Sequence, residues 1–341
     1  MVFSGARTHA AALVVVLAAA AAVSLGATCG QPAAPAAGLD PGESLRYRVE
    51  YRSGIHSDSN GPIYNPEQAH NLTIAVTAVL RLEVLRVDAA SPAGCSIRLR
   101  ATYESTDARV QSDAYDPGAD ALEKRYRELQ NHSFEFTVNP QGAVVQVAGL
   151  NRLEPDERLR NSIRQWLSTL TLPLSLWKPG MKPGARWRTE TPLVDSPLAG
   201  LAWRTETAYR NDEACPPAPG ASEAAGAGRC AVIAAHLRGV QRVPRGGATP
   251  AEYRRQGLRT SGQWKAHGAS LSYVSLATGL VTSTTASEHD DMDVTIVPAA
   301  GGSELRYDGQ TDSVSQITLI AVTLPPTRKA AGAATGPRHQ H

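Results

Sequence analysis

Leu72, Ile74, Val76, Ala78, Leu80, Leu82 and Val84 share one parity, the longest unbroken alternation in the 341 residues. A period of two puts all of these side chains on the same side of a β-strand. Strands usually run about five or six residues, so one this long demands a twisted, strongly curved sheet. The segment before it alternates as cleanly: Leu45, Tyr47, Val49 and Tyr51 lie between Arg46, Arg48, Glu50 and Arg52. One dry face and one wet face is the pattern of an antiparallel sheet. The chain is therefore read as mainly β, a large curved antiparallel sheet or barrel.

The rest of the sequence extends that pattern with interruptions. Residues 53–70 read as a loop, 95–103 as a strand and 106–120 as a polar loop. Residues 121–130 suit either a helical turn or an extension into the strand 133–138, after which Asn139-Pro140-Gln141-Gly142 makes a turn. In the centre, Leu159, Ile163, Trp166, Leu167 and Leu170 recur at helical spacing, with Pro155 at the helix start and Pro173 closing it. Two Pro-Gly turns at 179–184 lead into a repeated pentapeptide, Trp187-Arg188-Thr189-Glu190-Thr191 and Trp203-Arg204-Thr205-Glu206-Thr207. An antiparallel hairpin would let Arg and Glu pair across it. A strand 230–240 and a loop 243–253 come next. A meander then follows: 258–264, a turn at His267-Gly268, 271–276, a turn at Thr278-Gly279, 280–286, an acidic turn, 292–297, 305–307 and 313–320.

Composition bounds the class and the compartment. Residues 1–28 read as a signal peptide, with Arg7 before an apolar, Ala-rich run too short for a usual span. Cys29 follows small residues and is read as a lipidation candidate or as lying near an ordinary cleavage. Residues 29–41 form a Pro/Ala-rich tether, 42–322 a single β-rich domain, and 323–341 a disordered tail. The domain divides into halves, 42–150 and 184–322, joined by the helix and linker of 154–184. Their shared order of features fits either an internal duplication or the default likeness of β-meanders.

The 34 basic and 32 acidic residues are interspersed, which excludes the basic stripe of a nucleic-acid binder. Cys215 and Cys230 flank a Pro/Gly/Ala-rich loop and are expected to form a disulfide. Cys95, sharing a face with Ile97 and Leu99, reads as a buried thiol.

No motif assigns catalysis. Glu288, His289, Asp290, Asp291 and Asp293 are the densest polar cluster, but they lack the ligand ladder of a calcium loop and read as a solvated turn. The histidines show no metal spacing, Ser272 and Ser275 have no nucleophile-elbow context, and phosphate-binding glycine loops are absent. No catalytic residue, metal site or cofactor is expected.

From 42 to 176, several features resemble the N-terminal β-barrel of the vitellogenin-type large lipid transfer proteins. They are the first strand through Tyr51, the long alternation to Val84, Cys95-Ser96-Ile97-Arg98-Leu99, Phe134-Glu135-Phe136 with Gln141-Gly142-Ala143-Val144, and the amphipathic helix. That resemblance implies a barrel around a central helix and a lipid-carrying role. At fold level the chain is also similar to bacterial lipoprotein-carrier half-barrels and to uncharacterised exported bacterial β-rich proteins.

The expected function is an exported or envelope-associated protein, not an enzyme, that binds a lipid or a lipidated partner in a curved β-sheet cavity. Its expected lining is Leu72, Ile74, Val76, Leu80 and Leu82 from the sheet and Leu159, Ile163, Trp166, Leu167 and Leu170 from the helix. Location would be periplasmic or outer-membrane-anchored, with the membrane reached only through an anchor at Cys29. The alternatives are an envelope scaffold with a filled β core, working through a protein partner, and a hydrolase.

Overall fold

The computed structural model describes residues 40–60, 70–88, 96–138, 144–149, 181–193, 196–217, 228–244, 247, 249–276 and 281–323. Five strands come first: β1 (Ser44–Asn60), β2 (Asn71–Asp88), β3 (Ser96–Ser112), β4 (Ser133–Val138) and β5 (Val144–Ala148). Six follow: β6 (Arg186–Pro192), β7 (Leu201–Ala214), β8 (Arg229–Gln241), β9 (Leu258–Ser275), β10 (Val281–Pro298) and β11 (Leu305–Thr323). Two described helices interrupt them, α1 (Pro117–Glu128) and the short α2 (Ala251–Arg255).

All eleven strands form one curved antiparallel sheet, in the order β5-β4-β3-β2-β1-β11-β10-β9-β8-β7-β6. Each half is a meander, and the first and last strands pair in the middle, from Ser44 opposite Thr323 to Asn60 opposite Arg306. Among the described residues the sheet is not closed, with β5 and β6 as its edges, so of the two forms expected they form the sheet and not the barrel. The predicted helix carrying Leu159, Ile163, Trp166, Leu167 and Leu170 lies outside the described residues, as do Cys29 and Cys95.

Side-chain parity divides the sheet into two faces. On the inner face Leu45, Tyr47, Leu80, Leu82, Leu99 and Phe136 belong to one buried cluster. Burying such a side chain contributes roughly 1.5–3 kcal/mol each. Tyr51, Ile55, Ile74, Ala108 and Tyr126 form a second, with Leu122 and Leu129 packed on it. The latter come from α1 and the turn after it. The helix begins where Asp116 accepts a hydrogen bond from the Gly118 amide and Pro117 occupies the first helical position.

The outer face is wet and paired. Arg46 and Arg81 reach Glu104, while Arg98 and Arg100 reach Glu135. Glu104 owes its place to a bulge: Val79 lies opposite Ser105 but Leu80 opposite Tyr103, which leaves one extra residue on β3. Bulges of this kind bend and twist long strands, and four of the other pairings carry register shifts too.

Several sequence expectations need correction. The 53–70 loop is shorter, because β1 runs to Asn60 and β2 starts at Asn71. Residues 106–112 belong to β3, the ambiguous 121–130 stretch is mostly α1, and α2 sits in the expected 243–253 loop. His267-Gly268 is no turn but the middle of β9, and 288–293 is the middle of β10. The pieces 305–307 and 313–320 are one strand. Where the expected turns proved to be strand, Gly, Ser or Asp imitates turn chemistry while pairing with the adjacent strands carries the backbone straight through.

Candidate ligand-binding face

Of the expected sheet lining, Leu72, Ile74, Val76, Leu80 and Leu82 all occupy inner-face positions of β2. Ile74, Leu80 and Leu82 are buried, and Leu72 and Val76 are half-buried. They fall into two groups: Leu80 and Leu82 join the cluster around Leu45 and Phe136, and Ile74 joins the one beneath α1. A third apolar group lies across the sheet, where Trp203 meets Trp264 edge-on at 5.1 Å between ring centres. Gly239 makes that contact feasible, since a β-carbon there would come within 2.8 Å of the Trp264 ring.

Between these apolar regions the inner face turns polar. Ile74, Ser53, Ser313, Glu288, Gly268 and Leu237 form one lateral row, each opposite the next on the neighbouring strand. The next row runs Leu72, Ile55, Thr311, Asp290 and Ala266. Glu288 and Asp290, two residues apart on β10, thus point to the same inner side, about 7 Å apart along the strand. They are 9% and 8% exposed.

Local sequence explains how a glutamate fits there. A β-carbon on Gly268 would lie 3.0 Å from Glu288 Cγ and 2.7 Å from the Ser287 carbonyl oxygen. The missing side chain is the space into which Glu288 folds. Ala266 opposite Asp290 is small for the same row geometry.

The electrostatics follow from that burial. Loss of water pushes the Glu288 carboxyl up to about 8, and the charge of Asp290 adds to it. Burial likewise raises Asp290 to about 7; His289 on the opposite face works against the rise, and Asp291 and Asp312 reinforce it. Burial also raises the Tyr51 phenol, helped by Tyr126, Glu288 and Asp290 and opposed by Ser53. Tyr307 is pushed up to about 12 by burial, then by Asp290 and Asp308. The two carboxyls therefore keep protons well above the usual carboxylate range. Glu288 Oε2 is buried and has no hydrogen-bond partner among the described residues.

The sequence reading missed this pair, although a signal for it exists. Ala286, Glu288, Asp290, Met292, Val294 and Ile296 share one parity, so a continuous strand carries the acids inward with the apolar residues. The alternate residues stay outside: His289 contacts Asp312 at 2.7 Å and Asp291 at 3.3 Å, and its partner Asp312 leads in raising its pKa. His289 also lies 5.0 Å from the His267 ring. Among the described residues, no group of three metal-ligating side chains comes together.

Cys215 and Cys230 form the expected disulfide, joining the end of β7 to the start of β8. The repeated pentapeptides pair as expected, with Arg188 opposite Glu206 and Glu190 opposite Arg204. Both pairs form ion pairs on the outer face, and Arg242 adds a further contact to Glu190.

These features define a mainly β protein built on one open sheet, with an apolar inner face interrupted by a buried acid pair. No family model and no curated protein matches the chain. Among solved structures it is similar to one described as lipid–protein interactions in lipovitellin, at 9% identity and a TM-score of 0.45. That match covers 86% of this chain and 27% of the lipovitellin chain, so the protein spans about a quarter of it. DynF of the dynemicin biosynthesis pathway of Micromonospora chersina is more distant: 8% identity over 84% of this chain and 87% of that one, TM-score 0.16. OpdL of Pseudomonas aeruginosa is at 7% over 81% and 99%, TM-score 0.18.

Proposed function

We propose that this is an exported, envelope-associated binding protein, without enzymatic activity, whose inner sheet face holds a lipid or the acyl group of a lipidated partner. Export rests on the signal-like residues 1–28, and attachment to a membrane would come only through Cys29. The observation that carries the binding role is the inner face itself. All described strands lie in one sheet, so no second described sheet faces the apolar residues of β1 to β4. An apolar face of this extent calls for a cover, and half-buried Val49, Leu72 and Val76 lie along it.

The near-complete burial of Leu45, Ile74 and Leu99 favours a second reading, an envelope scaffold with a filled core that works through a protein partner. Titration with the neutral apolar dye phenylnaphthylamine separates the two. A carrier shows saturable fluorescence enhancement, and Val49→Glu and Val76→Glu each weaken it by about tenfold or more. Circular dichroism checks that the sheet is intact in both variants. Absence of saturable binding to the folded native protein overturns the carrier reading and leaves the scaffold.

A further inference from the structure

We infer that Glu288 and Asp290 form a head-group subsite that receives the protonated amine of an amphiphile whose hydrocarbon chain lies on the apolar inner face. The inference rests on the reading of that face as the ligand site, and it names the ligand's chemistry.

Position comes first. The two carboxyls point inward from the middle strands of the sheet, between the cluster of Ile55 and Ile74 on one side and that of Trp264 and Ala266 on the other. A polar group there is reached by the head of a molecule whose tail lies on either apolar side. Their cross-strand neighbours Gly268, Ala266, Ser313 and Thr311 are all short, so the two carboxyls are the longest side chains at their positions in these rows.

The second observation is an unmet demand for donors. Glu288 is 9% exposed, and its Oε2 is buried with no hydrogen-bond partner among the described residues. Among the described residues, none of the ion pairs involves Glu288 or Asp290. The nearest imidazole, His289, sits on the opposite face, engaged with Asp312 and Asp291. Without a cation the buried pair holds its protons, because an ionised carboxylate left there unpaired would cost several kcal/mol; a ligand that brings the cation is what lets the carboxyls ionise and accept its donors. The complement is a cationic donor.

The chemistry of the site then selects among cations. Two carboxylates fall short of the six to eight oxygens that calcium takes, and no described third metal-ligating residue joins them. A primary ammonium fits, since it carries three donors and one charge, enough for both carboxyls. An anionic head is disfavoured by the like charges, and a neutral alcohol supplies one donor without the charge.

The test uses the full chain and three amphiphiles of equal tail, dodecylamine, dodecanol and dodecanoate, each competing with phenylnaphthylamine near neutral pH. The expected order is amine, then alcohol, then carboxylate, with the amine displacing dye at concentrations about tenfold or more below the alcohol. In Glu288→Gln with Asp290→Asn the amine falls to the level of the alcohol, while alcohol binding persists and shows that the fold and the apolar face survive. Asp291→Asn, on the outer face, keeps the preference. If that double variant does not fold, Glu288→Gln alone must reduce the preference. Equal displacement by amine and alcohol in the native protein, or a preference that survives loss of both carboxyls, overturns the subsite and leaves the apolar reading standing. Failure of all three to bind overturns the apolar reading itself.

Discussion

At Glu288 a long acidic side chain folds over a residue that has none. Gly268 provides the space and burial holds the proton, so the carboxyl rises to about 8 and its neighbour Asp290 to about 7. A raised carboxyl means that the folded protein keeps a proton the unfolded chain has already released. Between about pH 4 and about pH 8 the folded state thus binds more protons, and stability falls as pH rises through that window. Glu288→Gln removes part of that dependence. In urea unfolding the variant is expected to be more stable than the native chain at about pH 8, on the order of 1–3 kcal/mol, and nearly equal at about pH 4. An unchanged pH slope would contradict the assignment of burial as the cause. The pair was hard to read in sequence because Glu, Asp and His in succession have the composition of a solvated turn. Parity held the missing information: Ala286 and Met292 flank the acids in the same register.

The elements show where local chemistry suffices and where it does not. The alternations of β1 and β2, the pentapeptide hairpin of β6 and β7 and the cystine at the end of β7 were legible, because each depends on residues close in sequence. The full lengths of β9, β10 and β11 were not, since their polar middles continue as strand only where partners on both sides continue too. The cystine has a consequence at this scale. It closes a loop with a sequence separation of 15, and a cross-link of that size is worth about 3 kcal/mol through the entropy of the unfolded chain. Cys215→Ser with Cys230→Ser is expected to lose about that much in urea unfolding. The native protein with excess reductant should fall to the variant's level, whereas a variant as stable as the oxidised native chain would rule out the cross-link's contribution.

At the scale of the molecule the two meanders meet through their far ends, β1 against β11, so the strands most distant in sequence sit at the centre of the sheet. No local pattern encodes that meeting, which is why the sequence conveyed two β-rich halves without their order. It also brings the acid pair of β10 within two strands of Ser53 and Tyr51 in β1, and so puts a polar spot among apolar clusters from both halves. We propose that an amphiphile occupies this inner face. Organic extraction of the protein purified from its native host without detergent, followed by mass spectrometry, tests that claim most directly. About one bound amphiphile per chain is expected, as for a single-site complex. Extracts with no amphiphile above that of an unrelated protein purified in the same way would contradict it.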